Sequence, residues 1–275
     1  MTVIAMTREM GSQGKEVAAG LAQELGLEVV HHELVERHLA ERLAMGASAV
    51  HLFLEGQPSL WERWKIDPSR LSRFTAEEIL LLAQRGNVVI RGWGAAQLLR
   101  EVAHVVCVRV CAPMAKRITV MQERLGISDP LAAEREIERN DGAHSRTIQR
   151  QFGEDWQGPH QYDIVLNTGF VPIATCVAIV RQLAESSSHL ETDASRAMLA
   201  DKLIEARART ILDAQVSDRP TGSGLDVAVA AGKVTLTGVT GGAGTLKSAI
   251  EKIAKVEGVV AVENRALRIN QGYGV

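Results

Sequence analysis

Gly11-Ser12-Gln13-Gly14-Lys15, near the start of the 275-residue chain, is the stretch whose residue types could do chemistry. Glycines let a backbone approach phosphate oxygens, and Lys15 adds a positive charge at the same place. The apolar run Val3 to Met6 before it reads as a buried strand, and Val17, Leu21 and Leu25 after it fall on one face of a helix. Strand, glycine turn and helix in that order can present unpaired amides to an anion. The strict phosphate-loop pattern G-x-x-x-x-G-K-[ST] is not met. Glu9 stands at its first glycine, and Glu16 follows Lys15 where a hydroxyl would bind the metal. An ordinary strand-to-helix turn is the competing reading.

A second basic cluster lies between Pro130 and Phe152, where the pattern predicts one long helix. Arg135, Arg139, Arg146 and Arg150 are spaced by four, seven and four residues. At about 100° per residue they share a stripe roughly 60° wide, provided Gly142 does not kink the helix. Glu138 and Glu136 are placed to offset Arg135 and Arg139, and Glu154 to offset Arg150; Arg146 has no acid three or four residues away. Bidentate contacts to phosphate would turn this repulsion into binding, so the helix is expected to act as a lid or clamp. A solvated basic face is the alternative. Arg91 follows the β-branched run Val88 to Ile90, at the strand end where open parallel sheets bind ligands. No metal site is expected: His31 and His32 are neighbours that do not share a face, and Cys107 and Cys111 share one without further ligands. With Cys176 these make no disulfide framework and read as buried thiols.

The elements that must position these groups alternate. Strands are expected at 28–30, 88–90, 104–110 and 162–167, and helices at 76–84 (capped by Thr75), 95–100, 114–125 and 173–183. A further helix should run from His31-His32 through Leu39 and Leu43, followed by a poorly patterned segment, Met45 to Phe74, anchored by Trp61 and Trp64 and covering the site. This predicts an α/β fold, a parallel sheet with helices on both faces. Ser186–Ser195 reads as linker, and then the character changes. A helix at 197–213, strands at 225–229 and 233–238 about a tight turn, a Gly241–Gly244 turn, a helix at 245–256 and a strand at 259–269 make a small α+β (αββαβ) module. Apolar and charged contents of 46% and 23% are globular values, and a net charge of −2 argues against a broad nucleic-acid surface. No apolar run approaches the ~18 residues of a membrane span, and the cytoplasm is the expected compartment.

TREMGSQGKEVAAGLAQELGL with HHELVER resembles the opening of the cytidylate-kinase-like proteins, bacterial relatives of nucleoside monophosphate kinases. The resemblance continues, in matching order to about Leu183, through VVIRGWGAAQLL, VRVCAPMAKRITVMQERLGIS and NDGAHSRTIQRQFGEDW with YDIVLNT. Residues 197–270 are similar to a BON domain, through the hairpin GKVTLTGVT. The resemblance implies a P-loop kinase-like domain at 1–185, a linker at 186–196 and a BON-like domain at 197–270. It also implies ATP with Mg2+ and a nucleotide or other small phosphate acceptor, cytidylate being the first guess. Taken with the spacing arguments, it makes Arg8, Gly11, Ser12, Gln13, Gly14 and Lys15 nucleotide-binding, and Lys15, Asp141 and Arg150 catalytic. Arg91, Arg117, Arg139, His144 and Arg146 become substrate or lid residues. His144 stands where relatives carry arginine, which exchanges a permanent cation for one that titrates near neutral pH. The alternative function is a degenerate domain that senses a nucleotide and signals through the BON-like module, whose own partner would be a small ligand, a lipid surface or a protein.

Overall fold

The computed structural model describes residues 1–30, 41, 68–92, 94–126, 128–216, 224–240 and 243–268. The helix expected through Leu39 and Leu43, the segment 45–67 with Trp61 and Trp64, and Gly241-Gly242 lie outside those residues. The chain divides into two compact units, Met1–Thr192 and Asp193–Val275.

The first unit is built around β1 (Val3–Arg8), whose Val3, Ile4, Ala5 and Met6 are wholly buried. Four consecutive buried apolar residues require cover on both faces of the strand. It is joined by β2 (Glu28–Val30), β3 (Val88–Arg91), β4 (Val105–Cys111) and β5 (Ile164–Asn167) in the order β2-β3-β1-β4-β5, every pair parallel. Six described helices connect them: α1 (Gly14–Leu25), α2 (Pro68–Arg85), α3 (Ala95–Leu99), α4 (Met114–Leu125), α5 (Pro130–Phe152) and α6 (Ile173–Ala184). Ile4, Met6, Val106, Val108 and Val110 pack with Val17, Leu21, Val177 and Val180 of α1 and α6. The alternate residues face the other side, where Cys107 donates its thiol hydrogen to the Ala96 carbonyl of α3 at 3.5 Å. Burial, then Asp163, pushes that thiol up to about 12, so it is an inert core group.

Successive strands lie to one side of β1 as far as β3 and then cross to β4 on its other side. The crevice at the carboxyl end of β1 is therefore the switch point at which such sheets receive ligands.

One helix departs from expectation and another meets it. α2 begins at Pro68, so Thr75 is a buried interior residue rather than a cap. Proline is preorganised for a first helical turn, and Phe74, Ile79, Leu80, Leu82 and Ala83 supply one buried stripe. α5 runs unbroken through Gly142; Asp129 accepts from the Leu131 amide at 3.0 Å at its start, and Gly153 (φ 70) ends it. No described helix is long and apolar enough to cross a membrane.

In the second unit, α7 (Asp193–Val216) and α8 (Ala243–Ile253) accompany β6 (Gly224–Ala230), β7 (Lys233–Thr240), β8 (Ala261–Asn264) and β9 (Leu267–Arg268). β6 and β7 form a hairpin about Ala231-Gly232, both at positive φ, and both turn amides donate to Asp201 of α7 at 2.7 and 2.8 Å. β8 and β9 each run parallel to β7, in place of one continuous last strand. Val227, Val234 and Leu236 meet Ile204, Ala208, Leu212, Leu246 and Ile253 in a core of their own. We expect residues 193–275, expressed alone, to melt in one cooperative transition by circular dichroism; a gradual, featureless melt would mean that this core is insufficient by itself.

Candidate functional site

The chain leaves β1 through a loop held at Glu9, Met10 and Ser12. The Glu9 amide donates to the Val110 carbonyl at 3.0 Å and the Met10 amide to Asp141 Oδ1 at 3.3 Å. The Met10 carbonyl accepts from Arg117 Nε at 2.7 Å. Ser12 donates its amide and hydroxyl to the Glu9 carbonyl at 3.2 and 2.8 Å, and its own carbonyl accepts from Thr168 Oγ1 at 2.8 Å. Gly11 turns at φ 79 against α4, where a Cβ would fall 2.7 Å from the Arg117 carbonyl oxygen, so no larger residue fits. Gln13, at φ 58, delivers the chain into α1. Among the described residues, the amides of Gly11, Gln13, Gly14, Lys15 and Glu16 have no hydrogen-bond acceptor. These are a tight turn and a helix start, the backbone arrangement that receives oxyanions.

Behind the loop lies a four-residue ion-pair cluster. Glu9 Oε1 accepts from Arg109 Nη2 at 2.6 Å, while Oε2 accepts from the Ala112 amide at 3.2 Å and faces Arg117 Nη1 at 3.5 Å. Arg117 Nη2 is paired in turn with Asp141 Oδ2. Arg109 also donates to the Gln157 carbonyl at 3.1 Å and lies 5.4 Å from the centre of the Trp156 ring, within cation–π range. Of the residues expected to act on substrate, Arg117 is thus buried in the brace, and both oxygens of Asp141 are engaged there.

Arg8 is different. Its side chain lies along the first turn of α1, where a Gly14 Cβ would come within 2.8 Å of Arg8 Cβ. Among the described residues it has no hydrogen-bond or ion-pair partner. Burial, then Arg91 and Arg124, lowers its guanidinium to about 10, so it stays charged at neutral pH. Arg91 is buried at the end of β3, where it pairs in register with Met6 of β1. Lys15 is exposed on the first turn of α1.

The stripe on α5 divides. Arg135 pairs with Asp129 at 3.6 Å and Arg139 with Glu136 at 2.7 Å, whereas Arg146 and Arg150 are exposed and have no partner among the described residues. Glu154, expected to offset Arg150, pairs with Arg100 at 3.1 Å. His144 stands edge-on to Trp156, ring centres 4.5 Å apart at 89°, with Nε2 buried and without a hydrogen bond. Burial, only partly opposed by Asp141, pulls it down to about 4. The expectation that it titrates near neutral pH is therefore corrected: the imidazole is neutral there because Asp141 only partly offsets its loss of water.

A model described as the cytidylate kinase-like family matches residues 3–169, which include the loop, the brace and α5. The chain belongs to that family. It is 26% identical over 181 residues to the cytidylate kinase of Pyrobaculum aerophilum, covering 65% of this chain and 90% of that one. The cytidylate kinase of Pyrobaculum calidifontis is 27% identical over 179 residues, with the same coverage. A crystal structure of an uncharacterized protein from Eubacterium ventriosum superposes with a TM-score of 0.54 at 18% identity, covering 68% of this chain and 99% of that one. The last likeness is one of fold.

Sequence reasoning passed over Arg109, Thr168 and the structural part played by Glu9. Arg109 interrupts the most apolar stretch of the chain, and a cation inside a buried strand requires an acid. Glu9, at an anomalous position in the loop, was the available complement. His144 yields a prediction. Between pH 6.5 and 4 the unfolded chain takes up a proton that the folded chain refuses, so stability falls as the pH falls through this window, by on the order of 3 kcal/mol once complete. Denaturant unfolding from about pH 7 down to about pH 4 should show this slope, and His144→Phe, which keeps the edge contact with Trp156, should flatten it. Equal slopes would deny the buried neutral imidazole.

Proposed function

We propose that the first unit is an ATP-dependent phosphotransferase acting on a nucleotide or another small phosphate acceptor. The observation that carries this reading is the set of five unengaged amides, Gly11 and Gln13 to Glu16, beside the unpaired cation of Arg8 at the switch point of the sheet. Phosphoryl transfer needs positioning and charge stabilisation more than a reacting side chain, and this is what amides and arginines supply. In this reading the amides, Arg8 and Lys15 hold the triphosphate. Arg91, Arg146 and Arg150 face the acceptor or the transferred phosphoryl, with Arg139 at the edge of that group. Asp141 and Arg117 act through the loop they hold, and neutral His144 contributes shape rather than charge. That curated relatives are named cytidylate kinases supports a nucleotide as acceptor.

The triphosphate fits what is present; a protein-built metal cage does not. No three His, Cys, Asp or Glu side chains gather among the described residues, and the hydroxyls of Ser12 and Thr168 are already engaged. Glu16, following Lys15, is the carboxylate that would hold Mg2+, phosphate oxygens and water completing its shell. When bound, the ion would neutralise charge on the transferring phosphates. The BON-like module at 197–270 is assigned an accessory role.

The second reading, a nucleotide sensor without turnover, is favoured by one observation. Where the family resemblance implies an arginine on α5, His144 supplies no charge at neutral pH. Melting-temperature screening of ATP, CTP and nucleoside monophosphates, each with and without Mg2+, followed by an assay for ADP release, separates the two. Binding with turnover supports the kinase, and binding without turnover the sensor. Arg8→Met should weaken ATP binding about tenfold by calorimetry while leaving the melting temperature equal or higher, because a half-buried cation without a counter-ion is removed. Unchanged affinity would take Arg8 out of the site.

A further inference from the structure

We propose that Glu9 is a positioning residue: its carboxylate is the brace that shapes the Gly11–Glu16 amide cradle, doing by ion pairing what a first glycine does elsewhere by conformational freedom. The inference rests on reading those amides as a phosphate site. Against the general phosphate-loop pattern, Glu9 looks like a defect, but the backbone says otherwise. Positive φ in the loop occurs at Gly11 and Gln13, and not at Glu9, so position 9 follows a path open to any residue and has no need of glycine.

What Glu9 supplies is attachment. One oxygen is held by Arg109 on β4, and the other by the Ala112 amide just past the end of β4 and, more distantly, by Arg117 on α4. Its backbone carbonyl receives both donors of Ser12, which closes the turn. The carboxylate is buried on the side of β4 and α4, and its charge is cancelled before it can repel a phosphate. Glu9 and Asp141 carry two negative charges and Arg109 and Arg117 two positive ones, so the brace is neutral as a whole. Arg8 and Lys15 are then left as the cations nearest the cradle. Arg117 extends the hold to α5 through Asp141, and both partners grip Met10. A carboxylate at position 9 therefore fixes the loop to two further elements directly and to a third at one remove.

The experiment uses the full chain, with pyrophosphate and ATP as probes, and compares Glu9→Gln and Glu9→Gly with the parent. Affinity is read by calorimetry and amide exchange at residues 11–16 without ligand. Glu9→Gln keeps the side-chain volume and an acceptor for the Ala112 amide but loses the charge. It should bind pyrophosphate about tenfold more weakly, the worth of one charge-assisted hydrogen bond, with faster exchange at residues 11–16 and unchanged exchange in the middle of β4. Glu9→Gly, which restores the general pattern, should bind more weakly still. If it binds as well as the parent or better, Glu9 is a defect and the proposal is overturned. Should Glu9→Gly fail to fold, Glu9→Gln decides: unchanged affinity and exchange overturn the proposal. The double variant Glu9→Gln with Arg109→Gln restores charge balance. It should recover melting temperature while staying weak toward pyrophosphate; recovery of both would reduce Glu9 to a counter-charge. A parent protein that binds neither probe sinks the phosphate reading, and the exchange comparison then decides alone whether Glu9 shapes the loop.

Discussion

The contact on which the rest of the first unit depends is the ion pair between Glu9 and Arg109. Arg109 lies in β4, a strand otherwise made of valine and cysteine and buried along nearly its whole length. A lone guanidinium there would lose its water with nothing in return, and breaking a buried pair by removing one partner typically costs 3–5 kcal/mol. Glu9 answers it across the pair β1 and β4, and the remaining lone pairs of its carboxylate are taken by the Ala112 amide and the nearby Arg117. Such a cluster tolerates burial only when every member is partnered, which makes its geometry strict. The loop inherits that strictness, because Glu9, Met10 and Ser12 are the residues through which it is attached.

The first unit carries many more arginines than lysines, and the structure sorts them by what they touch. Arg109 and Arg117 belong to the brace. Arg85, Arg100, Arg135, Arg139 and Arg181 meet surface carboxylates, contacts of small net worth. Arg8, Arg124, Arg146 and Arg150 have no such partner among the described residues. An arginine-rich composition by itself says nothing about a pocket, since the same residue type serves all three purposes. Position relative to the carboxyl ends of β1 and β3 separates Arg8 from the surface arginines.

Much of the fold was legible because its signals are local. The limits of α4 and α5 follow from proline or a capping acid at one end and a glycine beyond the other, and β1 and β3 from unbroken apolar runs. The start of α2 was missed because Thr75 looked like a cap, while the real start, Pro68, lies in a stretch with little apolar periodicity. The last strand was read as one because its apolar residues run on; the Arg265 amide, bonded to the Leu236 carbonyl between β8 and β9, marks where the pairing shifts. In the site, the glycines and Lys15 were visible as a pattern. The engagement of Asp141 and the low pKa of His144 were not, since each is set by neighbours from other elements. Trp156, which covers both Arg109 and His144, is brought to them only by the return of the chain after α5.

The separation along the chain between the loop and its holders has a consequence for how the protein is made. Glu9 meets Arg109 across 100 residues, Met10 meets Arg117 across 107 and Asp141 across 131, and Ser12 meets Thr168 across 156. The loop is therefore synthesised before every one of its holders and acquires its shape only after them. Contacts this distant in sequence slow folding, because chain entropy is lost before they can form. Until β4 is made, the apolar stretch Val3 to Met6 of β1 lacks one of its two neighbours, and both edges of the strand stay open until β3 is made. An apolar stretch with open edges, an aggregation hazard, is thus the one that leads into the site, and its protection during synthesis falls to whatever binds exposed apolar chain.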